Sequence, residues 1–143
     1  MMALNGVMSE QTGDNRLPMA IETFRTIGSP GYPFDEDRIA ARLRLSMKRG
    51  FSPAGVGRQF LAVISALGRG EALKSLNVPT LVIHGEDDPL VPLAAGKATA
   101  AAIPSATLLT IPGMGHDLPQ QLYAQLTNAI ADHAAAAEKR SAN

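Results

Sequence analysis

The sequence predicts an α/β fold with parallel strands, because three consecutive segments have the pattern of a strand, a helix and a strand. Thr80 to His84 is a short apolar run with β-branched residues, which is typical of a strand covered on both faces. Leu93 to Ile103 is rich in alanine, and Ala106 to Ile111 is a second apolar run that Pro112 ends. Two strands joined by a short helix form a βαβ unit, in which the strands are parallel and usually neighbours.

Further elements are expected on both sides of this unit. Residues 2–8, MALNGVM, predict a short buried strand, so that the fold would have about three parallel strands, and residues 9–14 contain turn residues. Leu118 to about Ala137 predicts a long helix with Leu122, Leu126, Ile130 and Ala134 on one stripe. We expect 1–14 to be a core strand and turn, 77–137 to be the strand–helix–strand–helix core, and 138–143 to be a disordered tail.

Residues 15–76 have helical signals. Asp35 can cap a helix in which Ile39, Leu43 and Met47 recur every four residues and which Gly50 ends. A second helix is expected to begin at Pro53, a residue favoured in the first turn, and to end at Gly68. A tight connection joins the two helices, which favours an antiparallel pair.

Composition excludes several classes of protein. The chain has 143 residues, with 13 basic and 13 acidic side chains, so its neutrality argues against nucleic acid or an anionic membrane as the main partner. There is no cysteine, which removes disulfides and thiolate chemistry. Because neither a signal peptide nor a membrane-spanning run is found in the sequence, it predicts a cytoplasmic globular protein.

The loops that follow the two predicted strands carry the candidate catalytic residues. GEDDPLVP follows the first strand, PGMGHD follows the second, and parallel neighbours about 4.8 Å apart bring both loops to one edge of the sheet. A carboxylate at Asp87 or Asp88 can therefore meet His116, and an imidazole held by a carboxylate is the base half of a nucleophilic triad. Either acid could instead cap the next helix, and the histidine could lie on the plain surface.

The sequence patterns of these two loops resemble those of the α/β-hydrolase family. The pattern G-x-x-D-x-x-V-P of the family's triad acid is matched by Gly85, Asp88, Val91 and Pro92, and the pattern G-x-G-H of its histidine is matched by Gly113, Gly115 and His116. The resemblance implies that Asp88, rather than Asp87, is the triad acid and that His116 is the triad base.

A narrower resemblance concerns one branch of this family. YPFDEDRI, PAGVGRQ, HGEDDPLVP and GMGHDLP are similar to the aclacinomycin-methylesterase-like branch. This resemblance implies that residues 15–76 form a helical lid and that the substrate of the complete protein is a small carboxylic ester. It implies no cofactor.

The third member of the triad is missing from the sequence. The family places its nucleophile in G-x-S-x-G, and no such pattern occurs in the 143 residues; GVMSE at residues 6–10 is the nearest candidate. The sequence therefore resembles the C-terminal half of an α/β-hydrolase, and we expect the chain to be inactive alone. The apolar segment at residues 2–8 would then be an open strand edge, which favours self-association or binding of a complementary N-terminal half.

Other functions stay open at this point. The chain could be a non-catalytic binding or regulatory half-domain, or a fragment of a dehalogenase, an epoxide hydrolase or a cofactor-free haloperoxidase of the same fold. His84, at the end of the first strand, is expected to be a packed, hydrogen-bonded residue, and His133 is expected to be structural. No cluster of metal-ligand residues is found in the sequence.

Overall fold

The computed structural model describes residues 16–50, 52–66, 68 and 70–141. Its elements, in chain order, are α1 (Arg16–Ile27), α2 (Glu36–Lys48), α3 (Pro53–Ser65), α4 (Gly70–Leu73), β1 (Thr80–Gly85), α5 (Leu93–Ala102), β2 (Ala106–Ile111), a 3₁₀ helix (Gln120–Leu122) and α6 (Tyr123–Ser141). The strand predicted at residues 2–8 lies outside the described residues.

The sheet of the described chain consists of β1 and β2, which pair in parallel. Thr80 lies opposite Ala106 at one end, and Gly85 lies opposite Ile111 at the other. The connection between them contains α5, so the predicted βαβ unit is present and the fold class is α/β. Because the strands are parallel and in register, the loops that leave Gly85 and Ile111 begin side by side.

The two strands are less covered than the sequence predicts. β1 is half-buried along most of its length, and Leu108 at the centre of β2 is 36% exposed. The apolar run at 106–111 predicts a buried strand, and this prediction is wrong for the centre of β2. The apolar character of a strand shows that it suits a covered position, but the cover has to come from other elements, and in the described chain none covers Leu108 fully.

A small core lies under the ends of the strands that carry the loops. Four residues are buried together, Ile111, Met114, Leu122 and Leu126, and the partly buried Tyr32, Ile83 and Leu109 pack against them. The predicted apolar stripe therefore faces this core at Leu122, in the 3₁₀ helix, and at Leu126, in α6, whereas Ile130 is 55% exposed. α6 continues to Ser141, and the disordered tail expected for 138–143 stays a prediction.

The described chain divides into two compact units. One contains residues 16–26, 34–50 and 52–66, and the other contains residues 27–33, 68 and 70–141. The strands, α5, α6 and the short segment 27–33 thus belong to the same unit. The predicted domain boundaries at residues 14, 76 and 137, with a lid between 15 and 76, stay a prediction.

Side-chain caps set the starts of two helices in the first unit. The Asp35 carboxylate accepts a hydrogen bond from the Arg38 amide at 3.0 Å, and the Ser52 hydroxyl accepts one from the Gly55 amide at 3.1 Å. These bonds satisfy donors that have no partner inside the helix. Both helix starts agree with the sequence prediction, whereas α1 was covered only by the general expectation that residues 15–76 are helical.

Candidate active site

The first two carboxylates after β1 bind the end of β2 and the loop that follows it rather than the histidine. Glu86 Oε1 accepts a hydrogen bond from Thr110 Oγ1 at 2.7 Å, near the end of β2. Asp87 Oδ2 accepts one from the Gly113 amide at 2.8 Å, and the Asp87 amide donates to the Met114 carbonyl at 3.0 Å. These bonds hold the two loops together, so Asp87 is structural in this arrangement and does not contact His116.

Asp88 has the partners expected of a carboxylate that orients a histidine. Its Oδ1 accepts from the amides of Leu90 and Val91, at 2.8 and 2.9 Å. Its Oδ2 lies 2.8 Å from Nδ1 of His116, although 28 residues separate the two in sequence. The sequence predicted that these two residues meet at the edge of the sheet, and the structure brings them together there.

This contact fixes which nitrogen of His116 carries a proton. An ionised carboxylate only accepts hydrogen bonds, so the Nδ1 atom donates to Asp88 and the neutral ring keeps its lone pair on Nε2. The Asp88 side chain is 8% exposed and that of His116 is 43% exposed. The acid is therefore shielded and the ring is accessible, as a base that takes a proton from a reacting group requires.

The environment of Asp88 favours its charged form. Burial by itself opposes this and raises the pKa of a carboxyl group, but the hydrogen bond from the Val91 amide outweighs it together with those from His116 and the Leu90 amide. The net result is that the pKa of Asp88 is lowered below its ordinary value. Asp88 is thus ionised over the whole range in which a histidine changes its charge.

Gly85, at the end of β1, allows two loops to touch. The first follows β1 and carries Asp88; the second, residues 112–117, follows β2 and carries His116, and we call it the histidine loop. A Cβ atom on Gly85 would lie 2.2 Å from the Met114 carbonyl oxygen and 2.7 Å from the Gly115 carbonyl oxygen. Both atoms belong to the backbone and cannot rotate away. This close approach gives a physical reason for the glycine that begins the pattern G-x-x-D-x-x-V-P.

A cavity of about 340 Å³ opens beside the pair. Its wall includes the apolar side chains of Ile83, Val91, Met114 and Leu118, next to Asp88 and His116. None of the described residues that line it is a serine, a threonine or a cysteine. The site therefore combines a carboxylate, an imidazole and room for an apolar group, while these residues supply no hydroxyl or thiol nucleophile.

His84 lies at the same cavity. Its Nδ1 is 2.8 Å from the carbonyl oxygen of Gly85, and its ring packs so closely on Gly96 of α5 that a Cβ there would lie 2.5 Å from the ring. The predicted packed, hydrogen-bonded role is confirmed. The sequence did not favour its position in the wall of the cavity. His133 lies on α6, and its structural role stays a prediction.

The sequence missed a second set of residues at the histidine loop. Residues 27–33 precede α2, and several of them form hydrogen bonds with residues 113–117. Their glycines and prolines, in the run GSPGYP, indicate a loop. They do not indicate where in the fold this loop lies, because its partners are more than eighty residues away in sequence.

The described residues contain no group of three or more His, Asp or Glu side chains placed to hold a metal ion. None of the helices in the described part of the chain is long and apolar enough to cross a membrane.

Comparisons with known proteins identify the fold and the family. Residues 10–119 match the family model of the alpha/beta hydrolase fold. The rhodomycin D methylesterase of Streptomyces peucetius is 28% identical over 127 residues, which are 89% of this chain and 43% of that protein. A non-heme chloroperoxidase of Burkholderia pyrrocinia is 42% identical over 59 residues, 41% of this chain and 21% of that protein.

One solved structure has a similar fold. It is a serine hydrolase involved in carbazole degradation, with a TM-score of 0.61 and 18% identity over 83% of this chain and 47% of that chain. The present chain thus spans less than half the length of these relatives. The match to the family model covers most of its residues, and the chain therefore belongs to the α/β-hydrolase family, in which it resembles the aclacinomycin-methylesterase-like branch.

Proposed function

We propose that this chain carries the acid and the base of a Ser-His-Asp triad for the hydrolysis of carboxylic esters. The observation that carries the proposal is the 2.8 Å contact between Asp88 Oδ2 and His116 Nδ1 at the edge of a parallel sheet. The serine would come from a G-x-S-x-G segment that the 143 residues do not contain. The chain alone is then inactive.

In the complete site, His116 moves the proton in both halves of the reaction. Its Nε2 takes the proton of the serine hydroxyl while the serine oxygen attacks the ester carbonyl carbon, and it then gives this proton to the departing alcohol. In the second half, Nε2 takes a proton from water, whose oxygen attacks the acyl-serine, and returns it to the serine as the acid leaves. Asp88 stays ionised and stabilises the imidazolium in each half.

The substrate we propose is a small methyl or similar ester with an apolar acyl part. The cavity beside His116 has a mostly apolar wall, which suits such a group. The similarity to a methylesterase over 89% of the chain supports a methyl ester. We further propose that the helices of residues 15–76 serve as the lid of the complete enzyme.

Two other functions have support from a specific observation. The local identity of 42% to a non-heme chloroperoxidase favours a haloperoxidase, which uses the same kind of serine triad. α3 has no buried residue and exposes Val56, Phe60 and Leu61, which favours a non-catalytic half-domain that binds another protein. Hydrolysis by the completed site decides between the esterase and the binding module.

The test compares the isolated chain with the same chain completed by an N-terminal half that carries G-x-S-x-G. With p-nitrophenyl acetate and butyrate, we expect no saturable hydrolysis by the isolated chain and clear hydrolysis after co-expression. In the completed protein, His116→Ala should lower kcat by at least about a thousandfold, and Asp88→Asn should also lower it strongly. His133→Ala is the matched control and should leave kcat unchanged.

Two results would contradict the proposal in different ways. Saturable hydrolysis by the isolated chain that disappears with His116→Ala would show that a nucleophile is already present. Hydrolysis by the completed protein that survives His116→Ala would show that His116 is not the base.

A further inference from the structure

The loop that carries His116 is hydrogen bonded along its length to residues 27–33 of the same unit. The His116 amide donates to the Ile27 carbonyl at 2.8 Å. The Gly31 amide donates to the Gly113 carbonyl at 2.9 Å, and the Tyr32 hydroxyl donates to the Pro112 carbonyl at 3.2 Å. We call residues 27–33 the clamp segment.

Ser29 bonds to both residues that flank His116. Its hydroxyl donates to Asp117 Oδ1 at 2.5 Å and accepts from the Gly115 amide at 2.9 Å. A serine hydroxyl has a single proton to donate, and Ser29 donates it to Asp117. The Ser29 oxygen still has a lone pair, and this accepts the hydrogen bond from Gly115 on the other side of His116. Together with the Ile27 carbonyl, this fixes three consecutive residues of the histidine loop.

Glycines let the clamp segment lie directly on the loop. A Cβ on Gly115 would be 2.2 Å from the Gly28 carbonyl oxygen, and a Cβ on Gly31 would be 2.6 Å from the Cα of Gly113. Gly113 also has a positive φ of 75°, which other residues rarely adopt. The contact is therefore built into the backbone of both segments and does not depend on long, mobile side chains.

We propose that the clamp segment positions His116 for proton transfer and that Ser29 is its positioning residue. The His116 side chain is 43% exposed, so side-chain packing restrains it only partly. Asp88 holds one ring nitrogen, whereas the place of the backbone from which the ring extends is set by Ile27 and Ser29. Proton transfer depends on placement to within about 1 Å, so a loosened backbone would misplace Nε2 even with Asp88 intact.

The experiment measures the position of His116 directly, by NMR on the ¹⁵N-labelled full chain. This role of Ser29 rests on the proposed role of His116, but the measurement needs no hydrolysis, so the two can fail separately. In Ser29→Ala the Gly115 amide loses its own acceptor. The decisive signals are therefore the His116 amide, whose acceptor on Ile27 is untouched, and the tautomer of the His116 ring.

We expect Ser29→Ala to speed hydrogen exchange of the His116 amide about tenfold and to lower the fraction of the ring protonated on Nδ1. Amides inside β2 should change by less than about twofold. Ser29→Thr keeps the hydroxyl and should restore both signals. Ser105→Ala is the matched control, because its hydroxyl donates to the Val78 carbonyl at the opposite end of the sheet, and it should leave His116 as in the unchanged chain.

Two outcomes overturn the proposal. His116 signals in Ser29→Ala that equal those of the unchanged chain would show that Ser29 does not position the ring. An increase in exchange shared equally by His116 and β2 would show a general loss of stability instead. If Ser29→Ala does not fold, Asp117→Ala and Asp117→Asn replace it: only the first removes the acceptor of the Ser29 proton, so only it should speed exchange at His116.

Discussion

At the scale of single residues, three consecutive carboxylates at the end of β1 have three different partners. Glu86 binds Thr110, Asp87 binds the Gly113 amide, and Asp88 binds His116. The first two hold the loops after β1 and β2 together, and this places the third opposite the histidine. Only Asp88 combines a histidine partner with a side chain that is nearly buried.

The lowered pKa of Asp88 predicts how stability depends on pH. Because the folded state binds this proton more weakly than the unfolded state, the charged carboxylate contributes stability above its ordinary pKa of about 4, and this contribution is lost as the pH falls through the lowered value. Asp88→Asn should be less stable at neutral pH and should lack this part of the acid dependence. Urea unfolding between about pH 7 and about pH 3 measures how the free energy of unfolding of each protein depends on pH.

Asp132→Asn is the control for this prediction, since Asp132 is an exposed carboxylate on α6. It should keep the acid dependence of the unchanged chain. Equal slopes of unfolding free energy against pH for Asp88→Asn and the unchanged chain would contradict the stabilising network around Asp88.

Gly85 leads to a second prediction at this scale. An added Cβ would lie 2.2 Å from a backbone oxygen of the histidine loop, so Gly85→Ala should force the two loops apart and lower the free energy of unfolding by about 3 kcal/mol. Gly57→Ala is the matched control, because a Cβ on Gly57 in α3 meets no atom within 4 Å. That change should be neutral or stabilising by up to about 1 kcal/mol. Equal effects in urea unfolding would contradict the close contact.

At the scale of elements, the sequence predicted the boundaries of helices and strands, because residues close together in the chain set them. The ends of β1 and β2 and the start of α3 follow from Pro, Gly and cap residues at the boundaries. The meeting of Asp88 with His116 followed from the parallel topology, because strand order fixes where the loops lie. The clamp segment could not be found in this way, since Ser29 and Gly115 are 86 residues apart and no strand relates them.

The cap of α2 gives a prediction for one element. Asp35→Ala removes the carboxylate that accepts from the Arg38 amide at 3.0 Å, and it should destabilise the helix by about 1 kcal/mol. Asp35→Ser keeps an acceptor at the cap and should recover most of this loss. Hydrogen exchange of the amides in the first turn of α2 measures the effect, and equal exchange in Asp35→Ala and the unchanged chain would show that the cap contributes nothing.

At the scale of the whole molecule, the chain matches less than half the length of its relatives and contains only part of the family's sequence patterns. The chain covers 43% of the methylesterase it matches and has the acid and histidine patterns of the family without its nucleophile pattern. The predicted opening strand at 2–8 lies outside the described residues, so its role as an open edge stays a prediction. The described residues supply a separate reason to expect association, which is the apolar surface of α3.

This surface predicts that the purified chain self-associates or binds a complementary N-terminal half. In α3, Phe60 is 64% exposed and Leu61 is 66% exposed, and the helix has no buried residue. Covering apolar area gains about 25 cal/mol per Å², which favours a second chain at this helix.

Light scattering after size exclusion should show a mass above 15.0 kDa at tens of micromolar, and the double change Phe60→Ser with Leu61→Ser should lower this mass. Met19→Ser, which changes an exposed apolar side chain of α1, is the control. A monomer at every concentration would show that α3 is not an interface between copies, and only binding of the N-terminal half would then remain to be tested.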